Sequence, residues 1–380
     1  MIYLIVLVIL LSGLFFFEKS NNPRSKSSWL FFEWVVLVLL AGLRYKVGGD
    51  TIWYYESFAN APTISELSVS YFIDSEYNFL WIILTAVCKT IYPDFVSFQI
   101  VHAIIVNTAF FMFFKRYIKK VFLAVLIYFV FYFFKYNTEI LRASLAVSVF
   151  LFSFKYLENK NWSKYLLCAV IAMGFHSEAI VMVFFPLVHI LTKIRVNLST
   201  YIGLIVIAVV LMSFNFIPAM KGFLSFSEKM TNSIDFYANK TELGENISLL
   251  GYGKIFVTSS IWLVIIYALN KTQYKLFRGF AFVAYIITWL SYNYSNIFYR
   301  VLDFTQPILI VSICLAFELW SRRKFYIPKM ILSFVIVVML IDLIEYYLSG
   351  HFILFYPYSS VLDPVDYSAR EFYFNSLFQQ

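Results

Sequence analysis

Apolar runs long enough to cross a bilayer recur from Met1–Phe17 at one end of the chain to Pro328–Leu348 near the other. Runs of this kind fit helices, because an open sheet leaves its backbone unsatisfied in lipid and a barrel strand alternates apolar with polar residues. The composition agrees, since 61% of the residues are hydrophobic and 14% are charged. We therefore expect an all-α polytopic membrane protein that forms a single transmembrane domain over residues 1–380.

Lysine and arginine lie mostly in short connectors between the apolar runs. The net charge of +8 therefore indicates membrane orientation and not nucleic-acid binding. The connectors expected on the cytoplasmic side are Glu18–Ser28, Lys115–Lys120, Lys155–Lys164, Lys193–Arg195, Lys271–Arg278 and Arg322–Lys324. Two longer connectors, 44–76 and 218–253, carry more acidic than basic residues, so we expect them to be outer-face loops. A C-terminal tail follows over residues 349–380.

One pair of apolar runs cannot both cross without misplacing a basic connector. If Tyr77–Tyr92 and Phe95–Phe114 both crossed, Lys115–Lys120 would lie outside. Tyr77–Tyr92 is the shorter of the two and carries Lys89, so we expect it to be a re-entrant or interfacial segment. About twelve transmembrane helices remain, with both termini outside. The expected crossings are Met1–Phe17, Trp29–Leu43, Phe95–Phe114, Val121–Tyr136, Ile140–Leu157, Tyr165–Phe175, Ala179–Thr192, Tyr201–Ile217, Lys254–Leu269, Phe277–Tyr294, Val301–Trp320 and Pro328–Leu348.

No sequence pattern indicates a cofactor or a metal. The cysteines Cys88, Cys168 and Cys314 lie in apolar segments without the spacing of metal ligands. The acidic residues of the first outer loop match no known cation-binding loop, and the chain has no phosphate-binding glycine loop. We expect neither a cofactor nor a bound metal.

Ionisable residues stand at the outer ends of several apolar runs, where they are costly unless they are paired or face a wet cavity. The segment Arg44-Tyr45-Lys46-Val47-Gly48-Gly49-Asp50 follows the second run, and the expected topology brings Arg142, His176 and Arg300 to the same face. A lone boundary arginine is more often an anchor or a structural ion pair, whereas four ionisable groups on one face favour a function. Arginine binds phosphate and aromatic rings cover sugars, which predicts an anionic or sugar-bearing ligand at the bilayer surface.

In their order along the chain, these residues resemble the motifs of EpsG-like, Wzy-type polysaccharide polymerases. The matching stretches are GLRYKVGGDTIWYYESF at 42–58, Ser75–Phe79, Leu141–Ala146, Phe175–Ala179, Phe298–Arg300 and Phe355–Tyr358. The chain departs from the motifs at Asn78, where glycine is common, and at Ala143, where glutamine is common. It also carries Glu178 in the histidine turn, where a small or hydroxyl residue is common.

The resemblance implies block-wise polymerisation of a bacterial surface polysaccharide such as O antigen, capsule or exopolysaccharide. The growing glycan would move from undecaprenyl pyrophosphate to the non-reducing end of another lipid-linked repeat unit. The reaction would take place on the periplasmic, outer face of the cytoplasmic (inner) membrane, in a multi-pass protein with a GT-C-like membrane glycosyltransferase architecture. Its expected partners are undecaprenyl-pyrophosphate-linked oligosaccharide and membrane lipid, with a chain-length regulator as a further candidate and no nucleic acid.

The chemistry assigns roles to the boundary residues. Arg142 and Arg300 are the candidate cations for the leaving pyrophosphate, with Arg44 as a third, because charge builds on its oxygens as the glycosidic bond breaks. Asp50 and His176 compete as the general base, and Asp50 has the alternative role of holding Arg44 in place. Further candidates for substrate binding are Tyr54, Tyr55, Tyr299, Glu76 and Glu178.

Two other classes of function fit the same topology. A flippase or transporter of lipid-linked oligosaccharide would bind pyrophosphate without bond cleavage, but such proteins usually show internal repeats and charges at the midplane. An O-antigen ligase or a membrane O-acyltransferase would also use outer-face histidine or arginine. The position of the unusual charges at one face favours the polymerase.

Overall fold

The computed structural model describes residues 2–212, 249–293, 295–321 and 326–378. These residues are almost entirely helical, and within them no β-strand forms beyond two isolated bridges. The expected all-α fold is confirmed. Of the second expected outer loop, residues 218–248 lie outside the described residues, and 249–253 begin a helix. The basic connector Arg322–Lys324 also lies outside them.

Long and short helices occur along the whole of the described chain. Their bounds are α1 Ile2–Ser12, α2 Pro23–Gly42, α3 Thr51–Asn60, α4 Val69–Asp74, α5 Phe79–Ile91, α6 Phe95–Tyr117, α7 Val121–Phe131, α8 Leu141–Glu158, α9 Trp162–Phe175, α10 Val188–Leu191, α11 Leu198–Met212, α12 Leu249–Ala268, α13 Lys275–Asn293, α14 Ser295–Ser321, α15 Tyr326–Tyr346, α16 Phe352–Phe355 and α17 Ser368–Phe378. Turns of π-helix cover Gly13–Phe17, Lys135–Glu139 and Tyr347–His351, and a 3₁₀ helix covers Ser177–Leu187.

Within the described residues, four helical stretches are long and apolar enough to cross a membrane. They are Pro23–Gly42, Phe95–Tyr117, Phe298–Trp320 and Lys329–Phe355. Shorter apolar helices account for most of the other expected crossings. The protein is therefore a helical membrane protein, while the count of about twelve crossings and the GT-C-like architecture stay predictions.

The segment expected to be re-entrant forms α5, a helix of 13 residues. At 1.5 Å per residue it is about 20 Å long, shorter than the hydrocarbon core of a typical bilayer. One face of α5 is buried, and α5 packs on α6 and α9. Helix α5 is therefore too short to cross the bilayer as a straight helix. Its expected re-entrant or interfacial position stays a prediction.

The chain divides into two compact units, which we describe separately. The first consists of Met1–Val183 and Ile341–Gln380, and in it α6 packs on α2 and α8, while α8 packs on α9. Polar side chains inside this unit bond between helices. His102 Nε2 lies 2.8 Å from Ser144 Oγ, and Asn107 Nδ2 donates to Asn137 Oδ1 at 2.9 Å. These bonds satisfy polar groups that would be costly in an apolar interior.

The second unit is Phe184–Leu340. In it α13 packs on α10, α11, α12 and α14. Arg278 of α13 fixes one end of this unit, because its Nη2 donates to the carbonyl oxygens of Thr192 at 2.7 Å and Ile194 at 3.4 Å. The connector before α11 and the connector before α13 are thereby held together.

Candidate functional site

The segment that follows α2 is held by the C-terminal tail. The backbone N–H of Tyr45 donates to Ser359 O at 2.8 Å, and that of Gly48 donates to Leu354 O at 2.9 Å. In return, Val361 N donates to Leu43 O at 2.9 Å. Main-chain bonds in both directions therefore position residues 43–48 against residues 354–361, although more than 300 residues separate them in sequence.

Arg44 points into this packed region and is only 1% exposed. Its Nη1 donates to Ala41 O at the end of α2. With the Gln99 amide oriented to satisfy both contacts, Arg44 Nε donates to Gln99 Oε1 at 3.3 Å and Gln99 Nε2 donates to Arg44 O at 3.2 Å. A cation at a helix C-terminus is favourable. Burial lowers the pKa of Arg44 to about 9, which leaves it charged at neutral pH.

Lys46 joins the same segment to the tail through two ion pairs. Its Nζ lies 2.8 Å from Asp366 Oδ1 and 2.7 Å from Glu371 Oε1. Partial burial lowers the pKa of Lys46, but the hydrogen bonds to Asp366 and Glu371 outweigh it and raise that pKa. The bond from Lys46 lowers the pKa of Asp366 below its usual value. Both ion pairs of Lys46 are therefore made with the C-terminal tail.

Arg370 is a structural residue that the sequence did not reveal. It is 2% exposed, and its guanidinium donates to the carbonyl oxygens of Lys46, Ile353 and Pro357. Because one acceptor lies in the segment after α2 and two lie in the C-terminal tail, Arg370 holds these two chain segments together. The tail around Arg370 has no periodic pattern that would indicate a buried arginine. Only the fold shows that Arg370 contacts Lys46.

Gly48 and Gly49 lie against the π-helical turn Lys135–Glu139. Gly48 has φ = +118°, and a Cβ there would lie 2.4 Å from Thr138 Cβ, so only glycine fits. Across from Gly49, the Glu139 side chain is in ordinary contact distance. The hydroxyl of Thr51 donates to Val47 O and to Thr138 O. The glycines therefore let the backbone approach residues 135–139 and place Asp50, half-buried, at the start of α3.

Helix α3 presents two faces. Tyr54 and Phe58, one turn apart, are 5% and 3% exposed, whereas Trp53 is 39% exposed. Tyr54 lies 5.5 Å from the ring of Trp81 on α5, so it belongs to the packed interior. The open face carries Trp53 and Ser57, since residues four apart share a helix face. Ser57 Oγ lies 2.8 Å from the hydroxyl of Tyr77.

Arg142, in the first turn of α8, is contacted by the rings of this open face. Its Cζ lies 5.1 Å from the ring centroid of Tyr77 and 5.9 Å from that of Trp53. The two rings are 5.8 Å apart, so a cation, an indole and a phenol form one cluster, which we call the Arg142 cluster. Trp53 and Tyr77 were not among the expected site residues, because periodicity does not show which of several adjacent aromatics faces the open side.

The Arg142 guanidinium has no protein counter-ion among the residues that the structure describes. Its Nε is buried and, in the same part of the chain, has no hydrogen-bond partner. Ile140 stands at the N-cap position of α8, and its side chain accepts no hydrogen bond from the first turn. The partial positive charge of this helix N-terminus therefore adds to the charge of Arg142. An arginine held by ring contacts alone retains its planar set of donors for phosphate oxygens.

The histidine turn lies next to the chain that carries Tyr77. Asn78, the next residue, donates from Nδ2 to Met173 O at 3.1 Å, close to the end of α9. His176 follows α9, and its Nε2 lies 3.7 Å from Glu178 Oε2, while its Nδ1 accepts the Glu178 N–H at 3.4 Å. The departure of Glu178 from the common motif therefore gives this chain a His–Glu contact.

The remaining expected site residues are placed as follows. Tyr55 is half-buried and contacts the rings of Tyr45 and Phe95, and Glu76 is exposed before α5. Tyr299 is 49% exposed in α14, and Arg300 beside it is half-buried. Both residues lie in α14, which belongs to the second unit, whereas the Arg142 cluster belongs to the first. Across the described residues, no three His, Cys, Asp or Glu side chains come together as a metal site would require.

Comparison with known proteins gives one family. The sequence model of the EpsG family matches residues 27–360. This range includes the segment after α2, the Arg142 cluster, the histidine turn and Arg300. No curated protein and no solved structure matches the chain.

Proposed function

The chain belongs to the EpsG family, and from this premise we propose that it polymerises a bacterial surface polysaccharide from lipid-linked repeat units. The family supports a polysaccharide-polymerase-like membrane protein, and the helical spans support the membrane setting. The donor in this proposal is a glycan on undecaprenyl pyrophosphate, and the acceptor is a second lipid-linked repeat. The site faces the outer side of the cytoplasmic membrane.

The proposed reaction exchanges one glycosidic bond for another. The bond from the anomeric carbon of the donor glycan to its pyrophosphate oxygen breaks, and the electron pair leaves with undecaprenyl pyrophosphate. A hydroxyl at the non-reducing end of the acceptor forms the new bond to that carbon and gives its proton to a base. Charge therefore accumulates on the pyrophosphate, and a cation beside it lowers the barrier.

The observation that carries the proposal is the Arg142 cluster. Arg142 lies at a helix N-terminus and against two aromatic rings, and it pairs with no carboxylate among the described residues. Phosphate satisfies such a guanidinium, and the rings of Trp53 and Tyr77 offer apolar faces to a sugar. A purely structural arginine would have acceptors within hydrogen-bond reach, as Arg44 and Arg370 do.

Arg300, with Tyr299, supplies a further cation in this proposal. It is half-buried in α14 and matches the late arginine of the family motif. We expect Arg300→Ala to abolish chain growth while the protein still inserts, and Arg300→Lys to restore little activity if phosphate is held by two parallel bonds. Full activity of the lysine variant would refute a bidentate contact.

The test of the proposed activity is synthesis with defined components. Purified full-length protein receives lipid-linked repeat units, and the products are separated by length while released undecaprenyl pyrophosphate is measured. We expect a ladder of polymers and one released carrier for each new bond. Transfer of the substrate across a vesicle membrane without a ladder would support a flippase and overturn the polymerase.

A matched pair of variants separates the site from a general charge effect. Arg142→Ala removes the cation of the cluster, whereas Arg116→Ala removes an arginine that lies 5.6 Å from the ring of Tyr117 on a connector expected to be cytoplasmic. We expect the first variant to lose the ladder and the second to keep it. Equal loss in both would remove the support that the Arg142 cluster gives.

The two candidate bases differ in how the rate depends on pH. If Asp50 takes the proton, Asp50→Asn removes activity at every pH, and the wild-type rate does not follow the protonation of an imidazole. If His176 takes it, the wild-type rate falls toward acidic pH as the imidazole is protonated, and His176→Gln removes the activity. Single-turnover rates of the wild type and both variants between pH 5 and 8 decide between them.

A further inference from the structure

The second unit contains a cavity that the proposed reaction does not use. It has a volume of about 640 Å³ and lies between α11 and α13. Gly203, Leu204 and Ile207 line it from α11, and Phe282 and Ile286 line it from α13. Its body is therefore apolar and has the size of a small-molecule site.

One end of the cavity is polar and basic. Arg195, Asn197 and Thr200 line it where α11 begins, about 13 Å along the helix from Ile207. Asn197 caps α11, with its Oδ1 accepting from Thr200 N at 3.0 Å, and Thr200 Oγ1 donates to Arg195 O at 2.8 Å. The turn that carries Arg195 is thus fixed at the mouth of an apolar channel.

Along α11, α12 and α13 and the connectors before α11 and α13, the charges of the described residues have one sign. Lys193, Arg195, Lys271 and Lys275 lie on the two connectors that Arg278 joins, and residues 184–212 and 249–293 contain no Asp or Glu. Within the described residues, none of these four side chains forms an ion pair. An apolar cavity beside basic residues that form no ion pair with any described residue fits a molecule with a hydrocarbon tail and an anionic head.

We propose that this cavity, bounded by α11 and α13, is a binding site for an acidic phospholipid of the cytoplasmic leaflet. One acyl chain lies between α11 and α13, and the phosphate lies at Arg195 and the neighbouring lysines. The leaflet follows from the basic connectors, which are expected on the cytoplasmic side. The site is separate from the proposed transfer chemistry and does not depend on it.

Lipid retention by the full-length protein tests the proposal. The detergent-purified protein is incubated with equal amounts of phosphatidylglycerol and phosphatidylethanolamine that carry identical acyl chains, and the bound lipid is identified by native mass spectrometry. We expect phosphatidylglycerol to be retained preferentially. Equal retention of both lipids would overturn the proposed selection by charge.

Two glycines provide a matched test of the cavity itself. Among the described residues, a Cβ at Gly203 or at Gly253 would meet no atom within 4 Å, so both positions have room there for a larger side chain. Only Gly203 lines the cavity. We expect Gly203→Phe to fill it and abolish phosphatidylglycerol retention, and Gly253→Phe to retain the lipid as the wild type does. Unchanged retention in Gly203→Phe would overturn the site, provided that its thermal unfolding matches that of Gly253→Phe.

The basic rim is tested separately. Arg195→Gln should lower phosphatidylglycerol retention about fivefold, the effect of one cation near an anionic lipid surface, whereas Arg24→Gln on a different basic connector should not change it. No change with Arg195→Gln would contradict the assigned head-group position. Displacement of phosphatidylglycerol by an equal concentration of a polyprenyl phosphate would show that the occupant is a carrier lipid, and it would overturn the assignment to a phospholipid.

Discussion

Arg44 and Arg142 look alike in the sequence, since each stands at the end of an apolar run in a family motif, but the structure gives them opposite surroundings. Arg44 is 1% exposed and donates to Ala41 O and Gln99. Arg142 is half-buried and is held by the rings of Trp53 and Tyr77. The first arginine is engaged by the protein itself, and the second retains its hydrogen-bonding capacity.

Two arginines from two family motifs therefore have different surroundings, and we propose that they have different roles. The segment after α2 is fixed by the C-terminal tail through Lys46 and Arg370, so it provides a rigid base for the start of α3. Helix α3 then places Trp53 against Arg142. We propose that Arg44 is a positioning residue and that Arg142 contacts the substrate.

The largest expected effect is at Arg142. Arg142→Ala should lower the polymerisation rate by a factor of about 10²–10³, as does the loss of one group that stabilises transition-state charge. Arg142→Lys keeps the charge but not the planar donors, so we expect it to recover at most about a tenth of the lost rate. Initial rates with lipid-linked repeats measure both. A lysine variant as fast as the wild type would show that only charge matters at this position.

Arg44 should behave in the opposite way. Arg44→Met leaves Gln99 and Ala41 O without their donor, and we expect a loss of about 2 kcal/mol in the free energy of unfolding. The folded fraction should polymerise within about threefold of the wild-type rate, since Arg44 does not touch the substrate. Thermal unfolding and the rate per folded molecule separate the two quantities.

The contact between Arg44 and Gln99 can be checked on its own. Gln99→Met removes the other partner, so the double variant should be destabilised by less than the sum of the two single variants. A folded Arg44→Met protein that polymerises as slowly as Arg142→Ala would contradict the division of roles.

The aromatic side of the cluster should give a smaller effect. Trp53→Leu removes one of the two rings at Arg142, and we expect the rate at low substrate concentration to fall about fivefold, in line with a cation–π contact at a partly exposed site. Tyr77→Phe keeps its ring and loses only the bond to Ser57, so it serves as the matched control with at most about a threefold change. Similar losses in both would show that the hydroxyl, and not the rings, supports Arg142.

The smallest effect concerns the ion pairs of the tail. Because the pKa of Asp366 is lowered in the folded protein, its contribution is present above the ordinary value of 3.8 and is lost as the pH falls through the folded value. The raised pKa of Lys46 acts in the other direction, and its contribution is lost only above about 10.5. Tail docking should therefore be constant between about pH 4 and 10 and weaken slightly below.

Hydrogen exchange of the tail amides, corrected for the intrinsic effect of pH, measures this docking. Asp366→Asn should raise the exchange rate near neutral pH and reduce the acid dependence, since Glu371 still pairs with Lys46. Asp363→Asn, three residues earlier in the same tail, should leave both unchanged, since that side chain takes no part in the pairs with Lys46. An acid dependence in Asp366→Asn as large as that of the wild type would place the titrating group elsewhere.

The sequence was sufficient for the helical membrane fold, because long apolar runs have few alternatives in lipid. It was also sufficient for the family, since short motifs in a fixed order are local features. It separated Val121–Tyr136 from Ile140–Leu157, and α8 begins within one residue of the expected start. It did not predict that α7 ends at Phe131 or that Lys135–Glu139 forms a π-helical turn, because that turn lies against Gly48 and Thr51. Ala179–Thr192 was expected to be a regular span, and it contains a 3₁₀ helix with Pro186 instead.

The composition of the candidate site was less predictable than the fold. Tyr54 and Tyr55 were expected to bind substrate because they adjoin the suspected site, but Tyr54 packs on Trp81 and the neighbouring Trp53 is the exposed ring. The roles of Lys46 and Arg370 depend on a contact across 324 residues of sequence, which no local pattern encodes. Burial, too, separated Arg44 from Arg142 only when the fold was known.

The most direct test of this division is chemical modification of arginine. Full-length protein is treated with phenylglyoxal with and without undecaprenyl pyrophosphate, and the modified residues are identified by peptide mass spectrometry. We expect Arg142 to react in the free protein and to be protected by the carrier lipid, while Arg44 stays unmodified in both samples. Modification of Arg142 that persists at saturating carrier, or protection at Arg44 instead, would contradict the account.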